Sequence, residues 1–361
     1  MTSIFIIALE PIETRYTSQW IHGIPTLLMQ RIQQNKLPAE IVNVVGELTD
    51  IKTTTGAFLN FAATNIWKST QINKMSRKFA KGEIKAGDKV LFTDAWHPGI
   101  LQIKYMSELL DIPIEIHSIW HAGSYDPQDF LGRKIKDKNW THNAERAFFH
   151  CSDYNYFATE FHINMFTDTL LKSEHTNVED KIIRSGQPHN QLIETLSHYA
   201  DTTKQRQLVF PHRIAVEKQV EIFKDLRIHM PDVKFVICQE KNLSKTQYHT
   251  ILSQSMISFS ANLQETLGIS SCIEAPLVNT VPLVPNRLSY PEIFAEFNEF
   301  IYPSEWTENW QSYIDNRSKF IAHIYHILDH YADYVPLLKT YCKDVLPRYA
   351  TADIMISKLL N

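Results

Sequence analysis

Residues 258–294 read SFSANLQETLGISSCIEAPLVNTVPLVPNRLSYPEIF, and the order of apolar and polar segments here decides the fold class. A β-type run, Met256 to Ser260, enters a polar loop that carries Glu265 and ends at Gly268. A helical segment, Ile269 to Leu277, holds Glu274, and a second apolar run, Val281 to Val284, is closed by Pro285. Strand, loop with a carboxylate, helix with a carboxylate, strand is one unit of an open α/β sheet. Ligands of such sheets bind at the carboxyl ends of the strands. Amides at the start of the following helix suit a phosphate or another anion, and a carboxylate beside them accepts hydrogen bonds from sugar or ribose hydroxyls. The plain alternative is an ordinary strand–loop–helix–strand unit with two solvated glutamates.

The same alternation runs outward in both directions. Strands are expected at Ser3–Leu9, Ala39–Val45, Lys89–Asp94, Ile112–Trp120, Tyr154–Thr159 and Lys181–Arg184, with helices between them, including one over Thr54–Ala80. Glu194 to Gln207 reads as helical, then polar, with no strand, and alternation restarts at Leu208–Phe210 with a helix over Val216–Met230 and a strand over Lys234–Cys238. Repeated βα units imply parallel sheets with helices on both faces. The expected organisation is two Rossmann-like lobes facing a cleft, 1–188 and 189–343, with the last helix, about 344–361, returning to the first lobe.

Bulk properties bound the function. A chain of 361 residues exceeds one typical domain. A net charge of −4 excludes a strongly basic nucleic-acid coat protein but not an enzyme with a local basic groove. Cys151, Cys238, Cys272 and Cys342 lie far apart without metal-ligand spacing, as expected of reduced thiols in a cytoplasmic protein. The opening apolar run, Ile4 to Leu9, is too short for a signal peptide or a membrane span.

Five strings in order then resemble one family, the GT-B glycosyltransferases of the family 4 type, and within it the branch of tRNA-queuosine mannosyltransferase-like and phage DNA-modifying enzymes. They are SDYNYFATEFHINMF (152–166), the segment Ile182 to Gly186, LVFPHRIAVEK (208–218), SANLQETLGISSCIEA (260–275) and PLVPNRLSYPEIF (282–294). WHAGSYDP (120–127) lies where the branch has a histidine motif. The last of the five strings is the most specific. Two departures stand out. Glu265 and Glu274 are nine apart where the family has eight, so a bulge in the loop or the first helical turn must absorb one residue. Asn279 replaces the usual small residue after the helix, and asparagine tolerates a left-handed cap.

The resemblance implies a retaining transfer from a UDP- or GDP-sugar, without a metal at the transfer step. The leaving diphosphate then needs protein cations, which Arg213 and Lys218 supply, helped by Gly268, Ile269 and the helix amides. Glu274 would take the ribose and Glu265 the donor sugar, with Gly186, Asn286 and Arg287 as further donor contacts; Glu292 follows Pro291 and suits a cap of the next helix. In the first lobe the catalytic candidates are His121, to hydrogen-bond the donor sugar or pass a proton, and Asp94, to orient the acceptor hydroxyl with His97. His97, Tyr125 and Asp126 are candidate acceptor contacts, and the loop Glu13-Thr14-Arg15-Tyr16 is a candidate contact of the acceptor or of the donor phosphate. Solvated surface charges are the bland reading of each ionic residue.

Two basic runs bear on the acceptor: Lys74, Arg77, Lys78, Lys81, Lys85, Lys89, and Arg133, Lys134, Lys136, Lys138 beside Trp140. Basic groups beside aromatics suit nucleic acid. With the branch resemblance they point to a hydroxyl on a modified base, a hydroxymethylated pyrimidine in phage DNA or queuosine in tRNA. Glycan, lipid and small-molecule acceptors, and a non-catalytic binding protein, are the competing readings.

Overall fold

The computed structural model describes residues 1–12, 15–49, 59–172, 178–241 and 243–361. Glu13 and Thr14 of the first loop, and the start of the helix expected from Thr54, lie outside them. The chain forms two compact units, one of 1–158, 163–188 and 352–361, the other of 159–162 and 189–351.

Unit 1 holds six parallel strands, β1 (Thr2–Ile7), β2 (Ala39–Val44), β3 (Lys89–Phe92), β4 (Glu115–Ile119), β5 (Tyr154–Phe157) and β6 (Ile182–Arg184), in the order β2-β1-β3-β4-β5-β6. Side chains alternate across a strand, and β1 feeds both faces. Phe5 and Ile7 join Val90, Phe92 and Trp120 in one core, while Ile4 and Ile6 join Trp20, Leu28, Met355, Ile356 and Leu359 in the other. The terminal helix Asp353–Leu360 thus seals the second face, and each of its three buried side chains contributes about 1.5–3 kcal/mol. The winding reverses between β1 and β3. At such a reversal the loops leaving the two strands diverge and open a crevice.

Unit 2 repeats the winding with β7 (Gln205–Phe210), β8 (Lys234–Ile237), β9 (Ser255–Phe259), β10 (Val281–Pro285) and β11 (Ile301–Tyr302), all parallel, in the order β11-β10-β9-β7-β8. Its reversal lies between β7 and β9. Two local expectations are corrected, and one helix is added. β7 starts at Gln205, inside a stretch too polar to read as a strand, because Gln207 is buried and hydrogen-bonds Ser255 Oγ at 2.6 Å. The helix expected from Val216 is broken by Gln219 at φ 52°, leaving a 3-10 turn, Val216–Lys218, ahead of Val220–His229. A helix over Lys245–Gln254 went unread, although its Ser244–Gln247 capping box is a sequence-level start signal.

Candidate functional site

In unit 2 the loops leaving β7 and β9 carry most of the expected donor residues. Gly268 closes the second loop at φ +74°, where a Cβ would also stand 3.0 Å from the Tyr290 ring. Glycine alone adopts that left-handed backbone without cost. Ile269–Glu274 then winds as a π-helix before the α-helical turn Ala275–Leu277. The wider turn takes up the additional residue between Gly268 and Glu274. Asn279, at φ 55°, ends the segment, with Thr280 N donating to Ala275 O at 2.8 Å and Asn279 N to Pro276 O at 3.0 Å, a Schellman closure.

Lys218 is buried, and its Nζ donates to Gln264 O at 2.7 Å and to Glu265 Oε1 at 2.7 Å. Asn262 Nδ2 donates to the same Glu265 oxygen at 3.0 Å and to Tyr290 Oη at 3.2 Å. Lys218, Glu265, Asn262 and Tyr290 therefore form one network across both loops. Arg213 pairs with Glu217, whose side chain is fully buried while Arg213 is 35% exposed. Each site cation thus has its own carboxylate partner. Between them, burial and the Lys218 charge push the His212 imidazole down to about 3.

Glu274 is buried and accepts from Tyr248 Oη at 2.5 Å, through Oε2. Burial raises its carboxyl, opposed by the tyrosine bond and the Lys245 charge. Two expected donor contacts are placed differently. Arg287 donates to Asn262 O at 2.7 Å, Ala261 O at 2.8 Å, Ser304 O at 3.0 Å and Thr307 O at 3.2 Å. Its guanidinium is committed to the backbone of the site loops, a scaffolding position rather than a ligand-facing one. Gly186, at φ +67°, follows β6 and belongs to unit 1. Asn286 is exposed just beyond β10. Glu292 accepts from the amides of Glu160 at 3.0 Å and Phe161 at 2.9 Å, not from the helix that follows it in sequence.

In unit 1 the loops leaving β1, β3 and β4 bring Arg15, Tyr16, Asp94 and His121 together. His121 Nε2 faces Thr93 O at 2.8 Å, an acceptor only, so Nε2 carries the proton. Nδ1 then accepts from Tyr16 Oη at 2.5 Å. Burial, opposed by Asp94, keeps the imidazole below its ordinary value and neutral. Asp94 pairs with Lys68 at 3.0 Å and accepts from Trp96 N at 3.0 Å. Burial alone would raise its carboxyl, but the Lys68 charge and hydrogen bond, with Arg15 nearby, outweigh burial and hold it well below the carboxylate range. Lys68 was not foreseen: on a helix it looks like any solvated lysine. Nor was Glu145, buried on helix Lys138–Cys151, which accepts from Trp96 Nε1 at 2.7 Å and Ser124 N at 2.6 Å.

Three expected acceptor contacts turn inward. Tyr125 is 2% exposed and packs edge-on to Phe166 at 5.1 Å. Asp126 is buried and accepts from Gln128 N at 2.8 Å, shaping its own turn. His97 is buried and accepts from Gly99 N at 3.0 Å, and burial pushes it down to about 3. His97 and His212 have a pH consequence. An unfolded histidine takes up a proton below about 6.5, whereas these two stay neutral to about 3. Their stabilisation is full above pH 6.5 and is lost as pH falls toward 3, by up to about 1.4 kcal/mol per pH unit for each group. Urea midpoints at pH 7 and pH 5 should show the loss, and His97→Gln should show a shallower one.

The first basic run is partly engaged. Lys74 donates to Val45 O at 2.9 Å, Lys78 pairs with Glu83 at 2.8 Å, and Lys89, at the amino end of β3, pairs with Glu115 at 3.1 Å. Among the described residues no group of three or more His, Cys, Asp or Glu is arranged to hold a metal ion, and no helix is long and apolar enough to cross a membrane.

No protein-family model and no curated protein matches the chain. Solved structures do. Sucrose-phosphate synthase from Thermosynechococcus elongatus superposes with a TM-score of 0.61 at 12% identity, covering 99% of this chain and 98% of that one. A glycosyltransferase from Rickettsia africae gives 0.58 at 10% identity, with 99% and 96% covered. Anabaena HepE in complex with UDP gives 0.56 at 11% identity, with 100% and 99% covered. With its two parallel sheets in a doubly wound α/β arrangement, the chain has the fold of the GT-B glycosyltransferases.

Proposed function

We propose that the chain is a glycosyltransferase that takes a nucleotide diphosphate sugar on unit 2 and an acceptor hydroxyl on unit 1. The observation that carries this reading is the cluster at the chain reversal of unit 2. There Lys218, Arg213 and the first amides of the segment after Gly268 offer positive charge, while Glu274 offers a hydrogen-bond acceptor. A nucleoside diphosphate has the matching pattern, a diol at one end and two phosphates at the other. In the reaction the bond between the anomeric carbon and the diphosphate oxygen breaks. The acceptor oxygen bonds that carbon, and its proton leaves on the departing diphosphate or on a base. Retention of configuration, carried by the resemblance, assigns the proton to the diphosphate on the same face. Lys218 and Arg213 stabilise the charge that develops there. Glu265, tied to Lys218, faces the sugar. On unit 1 Asp94, ionised across the working range, orients the acceptor hydroxyl, with Arg15, Tyr16 and His121 around it.

For the acceptor we favour a hydroxyl on a modified nucleic-acid base, on the strength of the branch resemblance and the run Arg133–Lys138 beside Trp140, which is 51% exposed and meets Trp96 edge-on at 6.3 Å. A glycan or small-molecule acceptor is the second reading, favoured by the internal pairing of Lys74, Lys78 and Lys89. Incubation of hydroxymethylated DNA and of tRNA with a panel of UDP- and GDP-sugars, read by mass spectrometry, separates them. A hexose or pentose mass gain on either polymer is expected, and none on both sinks the nucleic-acid reading. Calorimetry tests the donor half alone: UDP or GDP should bind. Arg213→Ala should weaken donor affinity and turnover together by about tenfold, the scale of one lost charged hydrogen bond. Unchanged donor affinity would remove Arg213 from the site.

A further inference from the structure

Tyr248 lies outside every motif that pointed to the site. It stands one turn into helix Lys245–Gln254, whose start is fixed by the Ser244–Gln247 capping box. Its hydroxyl donates to Glu274 Oε2 at 2.5 Å. Glu274 ends the π-helical segment Ile269–Glu274, and a contact from outside that segment holds its carboxylate. Tyr248 supplies that contact and leaves Oε1 as the oxygen open to a ligand. The groups facing Glu274 come from two further elements: Lys245 and Tyr248 from the helix, and Cys238 from the end of β8.

We infer that Tyr248 is a positioning residue for nucleotide binding: holding Oε2, it fixes the Glu274 carboxylate so that it accepts from the ribose diol. This rests on the donor reading given above. Removing the tyrosine hydroxyl frees Glu274 to rotate and takes away a bond that favours its ionised form. The carboxyl then titrates higher, and binding fades at a higher pH on the acid side. A merely structural tyrosine would not move that limb.

The test is calorimetric binding of UDP or GDP, whichever the wild type binds more tightly, against its 2′,3′-dideoxy counterpart, between pH 5.5 and 8. Tyr248→Phe keeps the ring, and its melting temperature is recorded in parallel. The variant should bind the natural nucleotide about tenfold more weakly, consistent with one charged hydrogen bond, with its acid limb moved up in pH. Its affinity for the dideoxy nucleotide should match wild type. In a Glu274→Gln background, Tyr248→Phe should add nothing. Equal losses for the two nucleotides, or an unmoved acid limb, overturn the inference. A wild type that binds both nucleotides equally overturns the ribose assignment of Glu274 itself. That failure is visible before any variant is made.

Discussion

Lys218→Ala should lower kcat/KM for sugar transfer by about 10²–10³-fold, the loss seen when one preorganised donor to a developing oxyanion is removed, about 2.7–4 kcal/mol. The size follows from where the ammonium sits. Its side chain is 6% exposed, anchored by Gln264 O and Glu265 Oε1 at 2.7 Å each, so water screens it little. Its partner Glu265 tempers the effect in the ground state, because the ion pair is nearly neutral seen from the phosphates. As charge grows on the leaving oxygen, the ammonium can shift from the carboxylate toward it. The loss should therefore fall more on kcat than on donor affinity. Rapid-quench turnover beside calorimetric UDP binding measures the two separately. Lys218→Met, which keeps the buried stem, controls for packing. A variant that keeps wild-type kcat would place the phosphate elsewhere.

The sequence carried the two-sheet architecture because buried parallel strands are short apolar runs, and β1, β3 and β9 are of that kind. It missed the start of β7, where polar side chains are buried by pairing with other strands rather than by hydrophobicity. Among the candidate site residues, Arg15, Asp94, His121, Arg213, Lys218 and Glu265 lie on loops leaving the carboxyl ends of strands, and Glu274 on the helical segment after one such loop. What was hidden is what depends on tertiary neighbours. Lys68 and Tyr248 sit on helices with no local mark of function, and only the folded chain brings them to Asp94 and Glu274. His97 and Tyr125 have the chemistry of site residues but point inward, a choice that side-chain packing makes and residue type does not announce. The one-residue excess after Gly268 was readable as a bulge, and its form is a π turn in which Cys272, Ile273 and Glu274 are all buried.

Arg287→Lys should unfold unit 2 more readily, by about 3–5 kcal/mol, roughly two charged hydrogen bonds with their carbonyls left unsatisfied. The guanidinium ties Ala261 and Asn262, in the loop that carries Glu265, to Ser304 and Thr307 on the far side of β10. A lysine has the charge but offers its three donors from one atom, without the planar fork that reaches carbonyls in several directions. At about 2–4 °C per kcal/mol for a unit of this size, the melting temperature should drop by roughly 10 °C. Function should fall with it in a particular way. Asn262 holds Glu265 at 3.0 Å, so a loosened backbone at 261–262 lets both groups drift from Lys218. Turnover measured well below the melting transition should therefore be reduced while UDP affinity, which the proposed donor site draws from Arg213, Glu274 and the helix amides, stays close to wild type. A direct donor contact would give the opposite pattern: weakened UDP or UDP-sugar binding with an unchanged melting temperature. Differential scanning calorimetry and a donor titration on the same preparation decide between the two, and so decide whether the PNRLSYPEIF string serves the ligand or the loop that meets it.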